Sequence, residues 1–196
     1  MERRREPFWW HDTRWNNPLA PVVGVSWFEA EAYCKLLSQE LGRPIRLPTD
    51  EEWERAARHT DGREYPWDNV FDGHRLNCAE FWAGEDDLSE LAKWHKWLES
   101  DSFKMASTTI VGQFPAGNSE AGVSDLGGNV WEWTSSWYDR EKVYRAVRGS
   151  SWNYDGRSAR CASRVRDLPV DFNANVGFRV LSPGSIPGFC VLDTGC

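Results

Sequence analysis

Two groups of residues in this chain carry chemistry that could define a site: the cysteines, and a late stretch that mixes aromatic, acidic and amide side chains. The cysteines Cys34, Cys78, Cys161, Cys190 and Cys196 are odd in number and share no short repeated spacing. They make neither a disulfide framework nor a zinc pattern, so a reducing, cytoplasmic setting is the default expectation. His11, His59, His74 and His95 stand singly, without ligand spacing. From Asn153 to Asn175, Tyr, Val, Leu and Phe are interleaved with Asp and Asn in neither a helical nor a strand period. Rigid aromatic anchors beside adaptable polar groups are the side chains of a recognition surface. Such surfaces are commonly loops held on a rigid frame.

The frame is legible on both sides of that stretch. Ser26 with Glu29 forms a capping box, and Trp27, Ala30, Cys34, Leu37 and Leu41 then recur at helical steps until Gly42. Thr49 with Glu52 opens a second helix whose apolar side is Trp53, Ala56 and Ala57. Between the two helices, Ile45-Arg46-Leu47 reads as a short extended piece. From Asp61 to Pro115 the signals weaken, with a turn at Tyr65-Pro66-Trp67 and an amphipathic helix expected within 85–100. Strands are expected at Ile110–Pro115, after the Gly127-Gly128-Asn129 turn, at Val143–Val147 and at Gly177–Leu181. Two helices, many short strands and long irregular connections indicate an α+β domain.

With 196 residues the chain has room for one sizeable core. It reads as one domain over 1–181 with a Pro- and Gly-containing extension over 182–196. The net charge of −7 argues against nucleic-acid binding, and Arg3-Arg4-Arg5 is too short to reverse it. No apolar run approaches the roughly 20 residues that span a bilayer, so membrane insertion is not expected. A monomer is expected. Thirteen tryptophans fit an aromatic core and loop layer better than a sugar-binding surface.

Several blocks taken in order resemble one family. They are Pro21–Trp27 with Ala32-Tyr33-Cys34, Arg46–Thr49 with Glu52-Trp53-Glu54 and Ala56-Ala57-Arg58, and Tyr65-Pro66-Trp67. They continue with Gly127–Trp133, Arg148–Trp152 and Gly177-Phe178-Arg179. This series resembles the formylglycine-generating enzymes, or sulfatase-modifying factors. The resemblance implies a C-type-lectin-like fold with a small antiparallel sheet and two flanking helices. It also implies a chemistry: oxidation of a sulfatase cysteine by oxygen at a copper ion held by two cysteines five positions apart. Two soft thiolates suit Cu(I). Here Cys161 falls on the second position and Gly156, which offers no ligand, on the first. Copper binding is therefore not expected. Cys161 is read as a buried structural side chain, the alternative being a residual reactive thiol.

A second resemblance is to the variable proteins of diversity-generating retroelements, which share this fold and rewrite codons in the block before Gly-Phe-Arg. It implies ligand contact by Asn153, Tyr154, Asp155, Val165, Asp167, Leu168, Asp171, Phe172, Asn173 and Ala174. Family members also hold structural calcium in loops. Asn129, the Val130 carbonyl and Glu132 match one such site, and Asn77 and the Cys78 carbonyl with Asp101 and the Phe103 carbonyl resemble another. Three functions follow in order: a non-catalytic display protein for an unknown protein or surface ligand, a copper-dependent formylglycine-generating oxidase, and a carbohydrate-binding lectin.

Overall fold

The computed structural model describes residues 5–183. The expected extension from 184 onward, with Cys190 and Cys196, lies outside them. Helix α1 (Trp27–Leu41) starts at Ser26, whose hydroxyl accepts from the Glu29 N–H while the Glu29 carboxylate accepts from the Ser26 N–H. Two donors that a helix start leaves open are thus satisfied together. Ala30 and Cys34 face inward, and Gly42 ends the helix at φ 61°, a left-handed conformation that suits glycine. Helix α2 (Asp50–Arg58) repeats the capping box with Thr49 and Glu52 and buries Trp53 and Ala57. Between the helices, Arg46 bridges to Leu181 and pairs with Glu52 at 2.6 Å.

The weakly patterned middle holds three short helices, α3 (Ala79–Ala83), α4 (Leu91–Leu98) and α5 (Asp101–Met105). The amphipathic helix expected within 85–100 is α4, shorter than that stretch and buried at Trp97. Helices α3 and α5 have five residues each, little more than one turn, and so show no readable period. The strand expected at Ile110–Pro115 does not form. Gln113 N–H turns back to the Ile110 carbonyl, and a 3₁₀ turn follows at Pro115–Gly117. Ile110 and Val111 are both exposed, so no buried face sustains a strand there.

The sheet comprises β1 (Trp131–Trp137), β2 (Arg145–Arg148), β3 (Arg164–Asp167) and β4 (Val176–Phe178), in the order β3-β2-β1-β4. Strands β1–β2 and β2–β3 pair antiparallel, but β1–β4 pairs parallel, so the sheet is mixed. The chain leaves β3 on one edge and crosses back through 168–175 to the other. Strand β3 lies inside the stretch that shows no strand period. As an edge strand with Arg164, Val165 and Arg166 exposed, it has no need of apolar alternation.

Aromatic residues and ion pairs tie helices to sheet. Trp133 N–H donates to the Val25 carbonyl, Trp27 N–H to the Thr134 carbonyl and Trp152 N–H to the Ala174 carbonyl. Trp133 and Trp152 are buried and Trp27 is half-buried, and each finds a partner for its one polar group. Glu132 at the start of β1 accepts from Trp53 Nε1 at 2.7 Å and from Arg179 Nε and Nη2 at 2.6 Å each. Arg148, only 2% exposed, pairs with Asp50 and Glu54 of α2 and donates to the carbonyls of Cys161 and Ser163 at 2.9 Å.

Candidate functional site

Gly156 and Cys161 sit at the two ends of a turn. Asp155 caps a 3₁₀ segment, Gly156–Ala159, by accepting from the Arg157 N–H. Gly156 is buried against the ring of Phe71, and a Cβ there would lie 2.2 Å from Phe71 Cε2 and 2.3 Å from Cζ. The ring is itself held beside Tyr65, with centroids 5.6 Å apart. The Gly156 N–H donates to Glu80 Oε1 at 2.9 Å. Cys161 is fully buried among Trp53, Ala57 and Leu126. Its N–H donates to the Glu64 carbonyl at 2.7 Å and its carbonyl accepts from Arg148. Burial pushes the Cys161 thiol up to about 12. A thiol at that value holds almost no thiolate at neutral pH, and thiolate is the form that binds metal or attacks. Phe71 and Glu80 therefore shape position 156, and both escape sequence reasoning because nothing links them locally to the turn.

The calcium candidates are rearranged. Asn77 and Asn129, read as parts of two separate sites, meet as a buried amide pair with Nδ2 of Asn77 3.2 Å from Oδ1 of Asn129. Asn129 Oδ1 also accepts from the Thr109 N–H, and Asn77 Oδ1 accepts from Trp82 Nε1 at 2.6 Å. Together they pin the 107–109 loop. Glu132 does not fit a calcium ligand here, because a guanidinium occupies both of its oxygens. Asp101 is 96% exposed in its side chain and pairs with Lys104, whereas Asn77 is 1% exposed, so that second set is not assembled. The Cys78 carbonyl accepts from the Trp82 N–H, and the Phe103 carbonyl from Arg14 and Ala106. Val130 is buried in the aromatic core. Among the described residues no three His, Cys, Asp or Glu side chains converge to hold a metal ion. No helix among them is long and apolar enough to cross a membrane.

The ten residues expected to face a ligand fall into two sets. Asn153, Tyr154, Asp155 and Ala174 are built into the fold. The Asn153 carbonyl accepts from Trp94 Nε1, Tyr154 packs edge-on against Trp131 at 5.5 Å, Asp155 caps the turn, and Ala174 packs on the core. Phe172 belongs with this set, its ring tilted against that of Phe8 with centroids 5.0 Å apart. Val165, Leu168 and Asn173 are exposed, with Val170 among them, and Asp167 and Asp171 lie half-buried alongside. These form one surface on strand β3 and the turn that follows it.

A family described as "sulfatase-modifying factor enzyme 1-like domain" matches residues 3–183, nearly the whole chain. The chain belongs to that family. Among sulfatase-modifying factor relatives it is 36% identical to the inactive C-alpha-formylglycine-generating enzyme 2 of Bos taurus, over 95% of this chain and 62% of that protein. It is 32% identical to the formylglycine-generating enzyme of Mus musculus, over 81% of this chain and 43% of that one. The chain thus spans less than two thirds of the relatives it matches. In structure it is similar to Treponema denticola variable protein 1, with a TM-score of 0.66 at 19% identity, covering 83% of this chain and 70% of that one. That likeness is one of fold.

Within this sulfatase-modifying factor domain the exposed surface carries one unusual titration. Burial, and then the adjoining carboxyl of Asp171, push Asp167 up to about 6. Asp167 Oδ1 accepts from the Leu168 N–H, and Oδ2 from Asn173 Nδ2 at 3.3 Å. The folded state thus holds a proton that the unfolded chain releases near 4. This contribution to stability is complete below pH 4 and is lost as the pH rises through about 6. At pH 7, Asp167→Asn is expected to stabilise the fold by about 1 kcal/mol, a figure reduced from the full shift because the group is partly solvated. At pH 4 it should bring no gain. Urea unfolding of both proteins at the two pH values checks this, and an equal effect at both would show that Asp167 ionises normally.

Proposed function

We propose that this chain is a non-catalytic binding member of the sulfatase-modifying factor family, and that strand β3 with the turn through Asp171 forms its recognition surface. The observation that carries this reading is the filled position at Gly156. Where the family's first copper thiolate belongs there is no side chain, and the ring of Phe71 occupies the space one would need. The second thiol, Cys161, is buried and held protonated. Neither soft ligand is available, so the copper that supplies oxygen activation in active members has no donor pair. The kinship with an inactive formylglycine-generating relative supports the same reading.

The recognition surface is narrower than the sequence suggests. Residues packed into the core cannot change type freely, whereas Val165 and Leu168 are exposed, and Asp167, Asp171 and Asn173 bond to one another at the surface. If the segment is rewritten by a diversity-generating retroelement, variation should concentrate there and spare Tyr154 and Ala174.

The decisive test incubates the reduced protein with a sulfatase-motif cysteine peptide, Cu(I) and oxygen, and follows the peptide by mass spectrometry. The expected result is no change. A loss of about 18 Da, the conversion of cysteine to formylglycine, that disappears in Cys161→Ala would establish the oxidase instead.

A further inference from the structure

Arg145 opens β2, and its register places it between Trp137 of β1 and Asp167 of β3. Its guanidinium carbon lies 3.7 Å from the centre of the Trp27 ring and 3.5 Å from that of Trp137, so the two indoles enclose it. Arg145 is 8% exposed. Its Nη1 donates to the Ser135 carbonyl at 2.5 Å. Nε is buried without an acceptor, and Nη2, which also lacks one, reaches solvent. A buried cation ordinarily has a carboxylate partner, as Arg148 and Arg179 do here. Arg145 makes no such pair. Glu31 favours its charge only through space, and the Glu31 carboxylate lies 3.8 Å from Lys35. Asp167 turns its oxygens to the Leu168 N–H and to Asn173. Burial therefore disfavours the Arg145 charge more than its surroundings restore it.

We propose that Arg145 anchors a carboxylate group of a partner, which meets Nη2 at the open edge of the slot between Trp27 and Trp137. The indole faces hold the guanidinium from above and below, and its in-plane donors remain for a ligand. A planar carboxylate matches that plane and supplies the missing negative charge. Inorganic phosphate fits less well, because one guanidinium beside the Glu31 carboxylate suits a single negative charge rather than two. The slot adjoins the Val165–Asp171 surface, since the Trp27 N–H donates to the Pro169 carbonyl. The anchor itself depends on Arg145 and the two indoles, not on that surface.

The test titrates the full chain at pH 7 with N-α-acetyl-glutamate α-methylamide and follows the backbone amides of Ser135, Trp137 and Arg145 by nitrogen-resolved NMR. Saturable shifts are expected at millimolar concentration, the weak range proper to a fragment of a larger partner. The glutamine analogue has the same shape and no charge, and should bind at least about tenfold less well. Acetylglycine carries its carboxylate at a chain end. Binding of either carboxylate supports the anchor, and the tighter of the two identifies the source. Arg145→Met keeps an apolar stem between the indoles without the guanidinium, and should abolish the shifts at Ser135 and Trp137. Should that variant fail to fold, the comparisons on the unaltered chain decide alone. Equal binding of the glutamate and glutamine analogues, tighter saturation by inorganic phosphate, shifts retained in a folded Arg145→Met, or no shifts at all would overturn the proposal. A peptide-oxidation result of either kind leaves these outcomes unchanged, so the two readings fail separately.

Discussion

Gly156→Cys is expected to destabilise the protein by at least about 3 kcal/mol and to create no tight Cu(I) site. A Cβ at 156 would lie 2.2 Å from a Phe71 ring carbon, well inside van der Waals contact. Overpacking a filled interior typically costs about 1–3 kcal/mol, and here the obstacle is a rigid ring held between neighbours rather than a flexible tip. The ring packs against Tyr65 at 5.6 Å, and a shift away from position 156 disturbs that contact. Phe71→Ala alone should also destabilise, by about 2–4 kcal/mol, through the cavity it leaves. The two substitutions together should cost clearly less than the sum of each alone, because each relieves the defect of the other. Urea unfolding of the four proteins measures this coupling. Additive costs would mean that Phe71 is not what closes position 156. A Cu(I) titration of the double variant gives the second readout: Cys161 remains fully buried there, so no one-to-one tight complex is expected even with both cysteines present.

A second large effect is expected at Arg148. Its guanidinium contacts two carboxylates of α2 and two carbonyls of the turn that carries Cys161. With 2% exposure, it cannot exchange these partners for water. Without Arg148, Asp50 keeps only Arg164, Glu54 keeps only Arg58, and the two carbonyls lose their donor, so a buried network is broken at a cost of about 3 kcal/mol. Arg148→Ala should therefore lower the unfolding free energy by about that amount. Arg148→Lys should recover little of it, since an ammonium cannot serve four acceptors arranged around a planar fork. A loss under about 1 kcal/mol in urea unfolding would show that Arg164 and Arg58, which already pair with Asp50 and Glu54, hold the two carboxylates without Arg148. By contrast, Arg46, which pairs with Glu52 at a half-exposed site, should cost far less on substitution.

Local rules read the start of the chain well. Ser26 with Glu29 and Thr49 with Glu52 are complete signals within four residues, and both capping boxes form as written. The strand after Gly127-Gly128-Asn129 is equally local, with Asn129 at φ 66° turning the chain into β1. What escapes is whatever depends on distant partners. Strand β3 shows no period because its pairing with β2, not burial, holds it. The parallel pairing of β4 follows from a crossover that no local pattern encodes. At the site, the loss of the copper pair is visible as Gly156, but its replacement is not. Phe71 reaches position 156 through the fold alone, and Glu80 meets the Gly156 N–H only once α3 is packed. Composition marks 153–175 as one stretch, yet it does not separate the residues that turn outward from those that the tryptophans hold.

The pairing of Glu132 with Trp53 and Arg179 has a consequence for inheritance. These three residues come from three separated blocks of the sequence, and they meet at one buried point. Selection for folding alone would keep them together. The blocks that make the chain recognisable thus serve the fold, and Gly156 leaves them in place. Membership and activity are then separate characters, and the side chains at 156 and 161, rather than the strength of overall likeness, are what distinguish one outcome from the other.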